Sequence, residues 1–166
     1  FENRLQDLLN GKYSSDMEFA LKNTIETKNL SVEHFFNLLS AFKQDVTKKR
    51  YSNFYQVLDY CSNSANPVGR LILELVNVKD ENAFYYSDKI CTALQINNFV
   101  QDTSLDYDKG RIYYPQDEMQ KFGVSEKVFE LKENNLNFNN VVEFSIVRTQ
   151  QMFNEGKKLL LCLNER

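Results

Sequence analysis

An all-α, single-domain fold is predicted by three features of the 166-residue sequence. It holds only 5 Gly and 2 Pro, where average usage would supply about 20 in a chain of this length, so the turns of a sandwich or barrel have little to be made from. Apolar residues recur at helical spacing along most of the chain. The stretch from Ala83 to Asp106 contains neither Gly nor Pro. With 42% hydrophobic residues, 13 Phe and 9 Tyr, the chain can bury a sizeable core, which excludes disorder as a whole.

The elements follow in order. Ser15 and Glu18 stand at capping-box spacing ahead of Phe19, Leu21 and Ile25, predicting a helix over 15–27. Ser31 is placed to cap a second, whose stripe of Val32, Phe35, Phe36, Leu38, Leu39 and Phe42 runs up to Asp45. A third starts after Ser52 with Phe54, Val57, Leu58 and Cys61, kinks or breaks at Ser64, Ala65 and Pro67, and resumes with Val68, Leu71, Ile72, Leu75 and Val76. A long helix is expected from about Ala83 to Asp106, stopped by Gly110. Phe122–Ser125 reads as a turn and new cap, 134–140 as an Asn-rich loop, and Val141–Leu161 as a last helix. There is no internal repeat and no linker, so residues 1–166 are expected to form one domain.

Charge and special residues exclude several classes. Twenty Lys and Arg against 23 Asp and Glu give a net charge of -3, the reverse of the basic balance typical of a nucleic-acid domain. Lys48, Lys49 and Arg50 form the one basic run, expected at a solvated helix end. Cys61, Cys91 and Cys162 are odd in number and far apart, which suggests neither a disulfide framework nor a zinc site. No apolar run reaches the roughly 18 residues of a spanning helix, so a cytoplasmic protein is expected. One histidine, His34, and no Trp leave any catalysis to carboxylates, amides, Tyr and Arg.

The chemistry concentrates in residues 87–115. At 100° per residue Gln95, Asn98, Asp102 and Asp106 share an arc of about 80° on one helix face. Ile90, Ala93, Leu94, Ile96, Val100 and Leu105 occupy the rest, so the helix is expected to be buried nearly all round, its polar stripe lining a cavity or meeting a partner. Two aspartates one turn apart repel. A cation between them is the natural remedy, and Mg²⁺ suits the donors because it is held by one or two carboxylates, waters and phosphate oxygens. Asn98 would ligate or orient, Gln95 would bond substrate or water, and Lys109 and Arg111 would contact a diphosphate. The alternative is a helix whose acids are simply solvated. Tyr60 reads either as a core tyrosine or as a hydroxyl aimed at the same cavity. Asp45 either pairs with Arg50 or reaches the cavity, and Arg148 is equally open. The small residues Ser62, Ser64 and Ala65 allow close helix packing or leave room for a ligand.

The segments LLSAFKQDVTKKRY, YCSNSANPVGRL, SDKICTALQINNFVQD and LDYDKGRIYYP, with the FGVSE turn, resemble the squalene/phytoene synthase family of head-to-head isoprenoid synthases. SANPVGR, and Gln101 before Asp102, look most like the bacterial hydroxysqualene synthase branch. The resemblance implies an isoprenoid (terpenoid) synthase helical bundle around an apolar cavity. In it Asp102 and Asp106 form the second aspartate-rich motif that binds Mg²⁺-diphosphate, with Asn98 as a third ligand. Gln95, Lys109 and Arg111 are its substrate contacts, and Tyr60 is the tyrosine near the carbocation. It also implies conversion of presqualene diphosphate and water to hydroxysqualene, as part of squalene and hopanoid biosynthesis. The alternatives are squalene or phytoene synthesis from two prenyl diphosphates such as farnesyl diphosphate, or a non-catalytic relative acting in assembly of respiratory complex I. A lipid substrate implies peripheral contact with the inner membrane. The family's first aspartate-rich motif has no match before Tyr60, and the family continues past Arg166. The chain is therefore expected to be the central part of a bundle lacking N-terminal and C-terminal helices, and inactive by itself.

Overall fold

The structure, a computed structural model, describes residues 1–132 and 134–163. Arg166 lies outside the described residues. The helices are α1 (Glu2–Leu9), α2 (Asp16–Lys28), α3 (Val32–Thr47), α4 (Phe54–Ser64), α5 (Asn66–Leu75), α6 (Glu81–Gln101), α7 (Thr103–Asp108), α8 (Gln116–Lys121), α9 (Lys127–Glu130), α10 (Leu136–Gly156) and α11 (Leu159–Leu163). No strand occurs among the described residues, and the fold is all-α.

Side-chain caps set most helix starts. Ser15 accepts the Glu18 N–H, as its spacing predicts. Glu18 reaches back to the N–H of Ser14 at 2.8 Å rather than that of Ser15, and also takes Arg4 of α1 at 2.6 Å, clamping α1 onto α2. The sequence pattern did not signal α1, which buries only Leu8. Asn53, Asp80 and Asn135 cap α4, α6 and α10. Asn135 thereby turns most of the expected Asn-rich loop into the first turn of α10. Ser31 occupies the N-cap position of α3, but its side chain makes no capping bond. Its N–H instead goes to Glu74 of α5 at 2.8 Å. Pro67 sits in the first turn of α5, where its missing donor costs nothing, and the chain breaks there as expected.

The helix expected to run unbroken to Asp106 changes direction at Asp102, which has φ -93° and ψ 12° and joins α6 to α7. Thr103 Oγ1 donates at 2.9 Å to the Val100 carbonyl and lies 3.0 Å from that of Phe99, drawing side chain and backbone together at the joint. The Asp106 N–H still bonds the Asp102 carbonyl at 2.8 Å, which keeps the two acids one turn apart. Gly110, at φ +75°, ends the segment.

α6 is the central helix, packed by α4, α5, α10 and α11. Gly69 lets α5 approach it so closely that a Cβ there would lie 2.4 Å from Ser87 Oγ and 2.5 Å from Cys91 Sγ. α6 is not buried all round, however. Leu94 is 54% exposed, and Asn98 and Gln101 are exposed beyond it, because the packing partners cover only part of its circumference; Leu105 of α7 is 58% exposed. Nor is the basic run solvated. Lys48 lies over the Tyr51 ring, Lys49 bonds the Asp45 carbonyl, and Arg50 forks onto Glu126 while bonding the Gly110 carbonyl. Arg148 is structural too, forked onto Glu118 of α8 at 2.6–2.7 Å and stacked 3.6 Å from the Phe54 ring centroid.

Candidate functional site

The α6–α7 joint presents Asp102 and Asp106 side by side, both half-buried. Burial pushes the Asp106 carboxyl above its usual range, and the neighbouring charges of Asp102 and Asp45 push the same way, against Lys109 and Arg111. Burial is the largest of these effects, and among the charges Lys109 outweighs Asp102. Gln95 and Asn98 lie two turns and one turn earlier, and among the described residues neither side chain has a hydrogen-bond partner. Two carboxylates and an amide oxygen, crowded by like charge, fit a hard divalent cation that completes its shell with water or phosphate. Among the described residues no third His, Cys, Asp or Glu converges to make an all-protein metal cage.

Arg111 follows the joint because its N–H bonds the Asp106 carbonyl at 2.8 Å, returning the chain to α7. Its guanidinium donates from Nη2 to the Asp45 carbonyl at 3.2 Å, while its buried Nε has no partner. The guanidinium stands beside Asp45 and Asp106 and offsets part of their charge. Lys109, one turn away, is exposed.

Tyr60 projects from α4 into the same region and is 5% exposed. Its ring lies among Tyr51, Phe99 and Tyr113, with centroid separations of 5.7–5.9 Å, and Phe99 and Tyr113 stack at 3.8 Å. The Tyr60 hydroxyl donates to Asp45 Oδ1 at 2.9 Å. Burial, reinforced by Tyr113 and Asp45, pushes its pKa far up, so the phenol stays protonated. Asp45 thus takes the second of its two open readings: it reaches the site, while Arg50 goes to Glu126. Sequence periodicity had no means of choosing, because the partner is on another helix.

Asp106, Arg111, Phe99 and Tyr113 line one small gap of about 10 Å³. A cavity of about 290 Å³ adjoins it, lined by Gln101, Thr103 and Ser104 of the same joint and by Tyr107, Phe129 and Phe138; Thr103 and Phe129 line both. The apolar cavity expected over the aspartates is not closed around this gap, because the face carrying Leu94, Asn98 and Leu105 is exposed.

Residues 4–166 match the family model described as squalene/phytoene synthase. The chain belongs to the squalene/phytoene synthase family. It is 33% identical over 140 residues to a hydroxysqualene synthase of Rhodopseudomonas palustris, covering 84% of this chain and 48% of that protein. A hydroxysqualene synthase of Zymomonas mobilis is 31% identical over 150 residues, covering 89% and 50%. The crystal structure of squalene synthase HpnC from Alicyclobacillus acidocaldarius superposes with a TM-score of 0.91 at 34% identity, covering 95% of this chain and 60% of that one. The chain spans about half the length of the curated relatives it matches, and the isoprenoid-synthase architecture is shared. Of the residues assigned from the family motifs, Gln95 and Asn98 lie on α6, Asp102 joins α6 to α7, and Asp106 lies one turn on in α7. Arg111 and Lys109 flank the acids, and Tyr60 enters from α4 through Asp45.

Proposed function

We propose that the protein is an Mg²⁺-dependent isoprenoid synthase acting on prenyl diphosphates, and that its reaction converts presqualene diphosphate and water to hydroxysqualene and diphosphate. The observation that carries this reading is the paired Asp102 and Asp106 beside Arg111, whose buried Nε lacks a partner. The hydroxysqualene synthases among its relatives favour the hydration branch. Asp102, Asp106 and Asn98 would hold Mg²⁺, which when bound supplies Lewis-acid neutralisation of the departing diphosphate.

The chain's own groups do the remainder. Arg111 offers a directed donor to a phosphate oxygen, and Lys109 adds a mobile charge at the rim. Gln95 is free to orient substrate or water. Tyr60, Phe99 and Tyr113 supply aromatic surface in dry surroundings, which favours a carbocation over its premature capture. The substrate is a lipid, so the protein would work at a membrane surface. No described helix is long and apolar enough to cross a membrane.

In the full-length protein, Asp102→Ala and Asp106→Ala should each lower Mg²⁺-dependent diphosphate release by about a thousandfold while far-UV circular dichroism stays unchanged. Unchanged turnover would overturn the metal assignment. Mass spectrometry of the product from presqualene diphosphate and water tests the branch, and diphosphate release that yields only a hydrocarbon formed by proton loss, with no alcohol, would refute it.

A further inference from the structure

The pair formed by Asp45 and Tyr60 has a chemistry that positioning the cation does not use. Among the described residues no cation pairs with the Asp45 carboxylate. Lys49 and Arg111 both bond its backbone carbonyl instead. The carboxylate receives one hydrogen bond, from Tyr60. Arg111, Asp106, Tyr51 and Tyr113 are the other charged or titratable groups that face this pair. Tyr60 in turn stands against Phe99 and Tyr113, which share the small gap with Asp106 and Arg111.

We propose that Asp45 is the terminal proton acceptor of the hydration step, acting through the Tyr60 hydroxyl. This rests on the hydroxysqualene reading above. The C–O bond to diphosphate breaks with its electron pair leaving on diphosphate, and the cation rearranges. The oxygen of a water molecule then bonds to the cationic carbon. One O–H bond of the resulting oxonium breaks, its proton passing to the Tyr60 oxygen as Tyr60 gives its own proton to Asp45 Oδ1. No oxidant or reductant is needed, and Asp45 later returns the proton to solvent. The relay must be concerted, because a buried phenolate next to a carboxylate is disfavoured, so Tyr60 cannot store the charge. Asp45 is a positioning residue in this scheme, acting on the water only through Tyr60.

Asp45→Asn separates this role from a structural one, since an amide oxygen still accepts the Tyr60 hydrogen bond but takes no proton. With the full-length protein, presqualene diphosphate and Mg²⁺, the variant should lower hydroxysqualene formation roughly tenfold more than diphosphate release, the lost product reappearing as hydrocarbon. Asp45→Glu should recover part of the hydroxylated fraction. Tyr60→Phe should reproduce the altered partition, and the double variant should add nothing further; it also carries the test if Asp45→Asn does not fold. A wild-type product ratio in both variants, or an equal fall in release and hydroxylation, overturns the relay. Failure of the underlying reading is separately visible, because wild type would then yield no hydroxysqualene.

Discussion

Glu74 is a carboxylate left 5% exposed, and its two oxygens are both engaged. One accepts the Ser31 N–H at 2.8 Å, and the other lies 3.4 Å from His34 Nε2. It thereby replaces the cap that the Ser31 side chain does not supply and ties the start of α3 to α5. Glu74→Ala would leave the part-buried Ser31 N–H without its acceptor and His34 without its neighbour, so it should destabilise the fold by about 1–3 kcal/mol. Glu74→Gln, which keeps an acceptor, should cost less. Urea denaturation of the two variants checks this, and equal stability of Glu74→Ala and wild type would contradict it. Residue-level roles of this kind were the least legible in the sequence. Glu74 carried no motif, and Asp45 reads as the polar end of an apolar stripe. The partners of both lie on other helices, where spacing says nothing. Asp102, Asp106, Asn98 and Gln95 were legible because their relation is local, one and two turns of a single segment.

Between elements, close approach and charge clamps hold α6 in place. Gly69→Ala puts a methyl within 2.4–2.5 Å of Ser87 Oγ and Cys91 Sγ. α5 must then withdraw from α6, which should cost about 1–3 kcal/mol. Adding Cys91→Ala and Ser87→Gly should recover part of that loss, and thermal melts of the single and combined variants measure it. The Arg50–Glu126 fork joins the segment after α3 to the residue before α9. The Arg50 bond holds the Glu126 carboxyl below its usual range. A folded-state value below the unfolded one contributes stability above the unfolded pKa of about 4.3, and loses it as pH falls through the folded value. Because Glu126 is half exposed, the contribution is about a few tenths of a kcal/mol. Glu126→Gln should therefore lower stability at pH 7 and leave it unchanged at pH 2, as read by denaturation at both values. The helices themselves were legible where caps and apolar periodicity coincide, as in α2 and α4. The long helix was misread at Asp102, because Thr103 and the backbone geometry that turn the chain there leave no Gly or Pro as a mark. α1, α8 and α9 are short, and little of their length is apolar stripe.

Across the whole molecule, burial is unevenly distributed, and stability should follow it. α6 is enclosed by α4, α5, α10 and α11, and contributes Ala83, Ile96 and Phe99 to two of the core clusters. α10 closes on it where Gly156 meets Ile90, and sends Val141 into a third cluster. α1 and α2, by contrast, share a small cluster of Leu8, Ile25 and Leu30, and leave Phe1, Met17 and Phe19 more than half exposed. That all-α architecture was legible from the poverty of Gly and Pro. The uneven burial was not, since a helix period shows which face is apolar but not whether another helix arrives to cover it. The apolar residues Leu94 and Leu105 show the difference, lying on the uncovered side of the segment that carries the aspartates. Amides protected by many buried neighbours open only with global unfolding, whereas those on thinly packed helices open locally. Native-state hydrogen exchange should therefore release α1 and α2 first and the Ala83–Phe99 amides of α6 last. A uniform protection pattern from α1 to α10 would contradict this order. The consequence for the site is direct. Asp102 lies at the end of α6, and Asp106 and the turn to Arg111 are tied to it by backbone bonds. If α6 opens last, the two carboxylates stand at the end of the slowest-opening part of the molecule, as a paired charge site requires if its geometry is to be set before any ligand arrives.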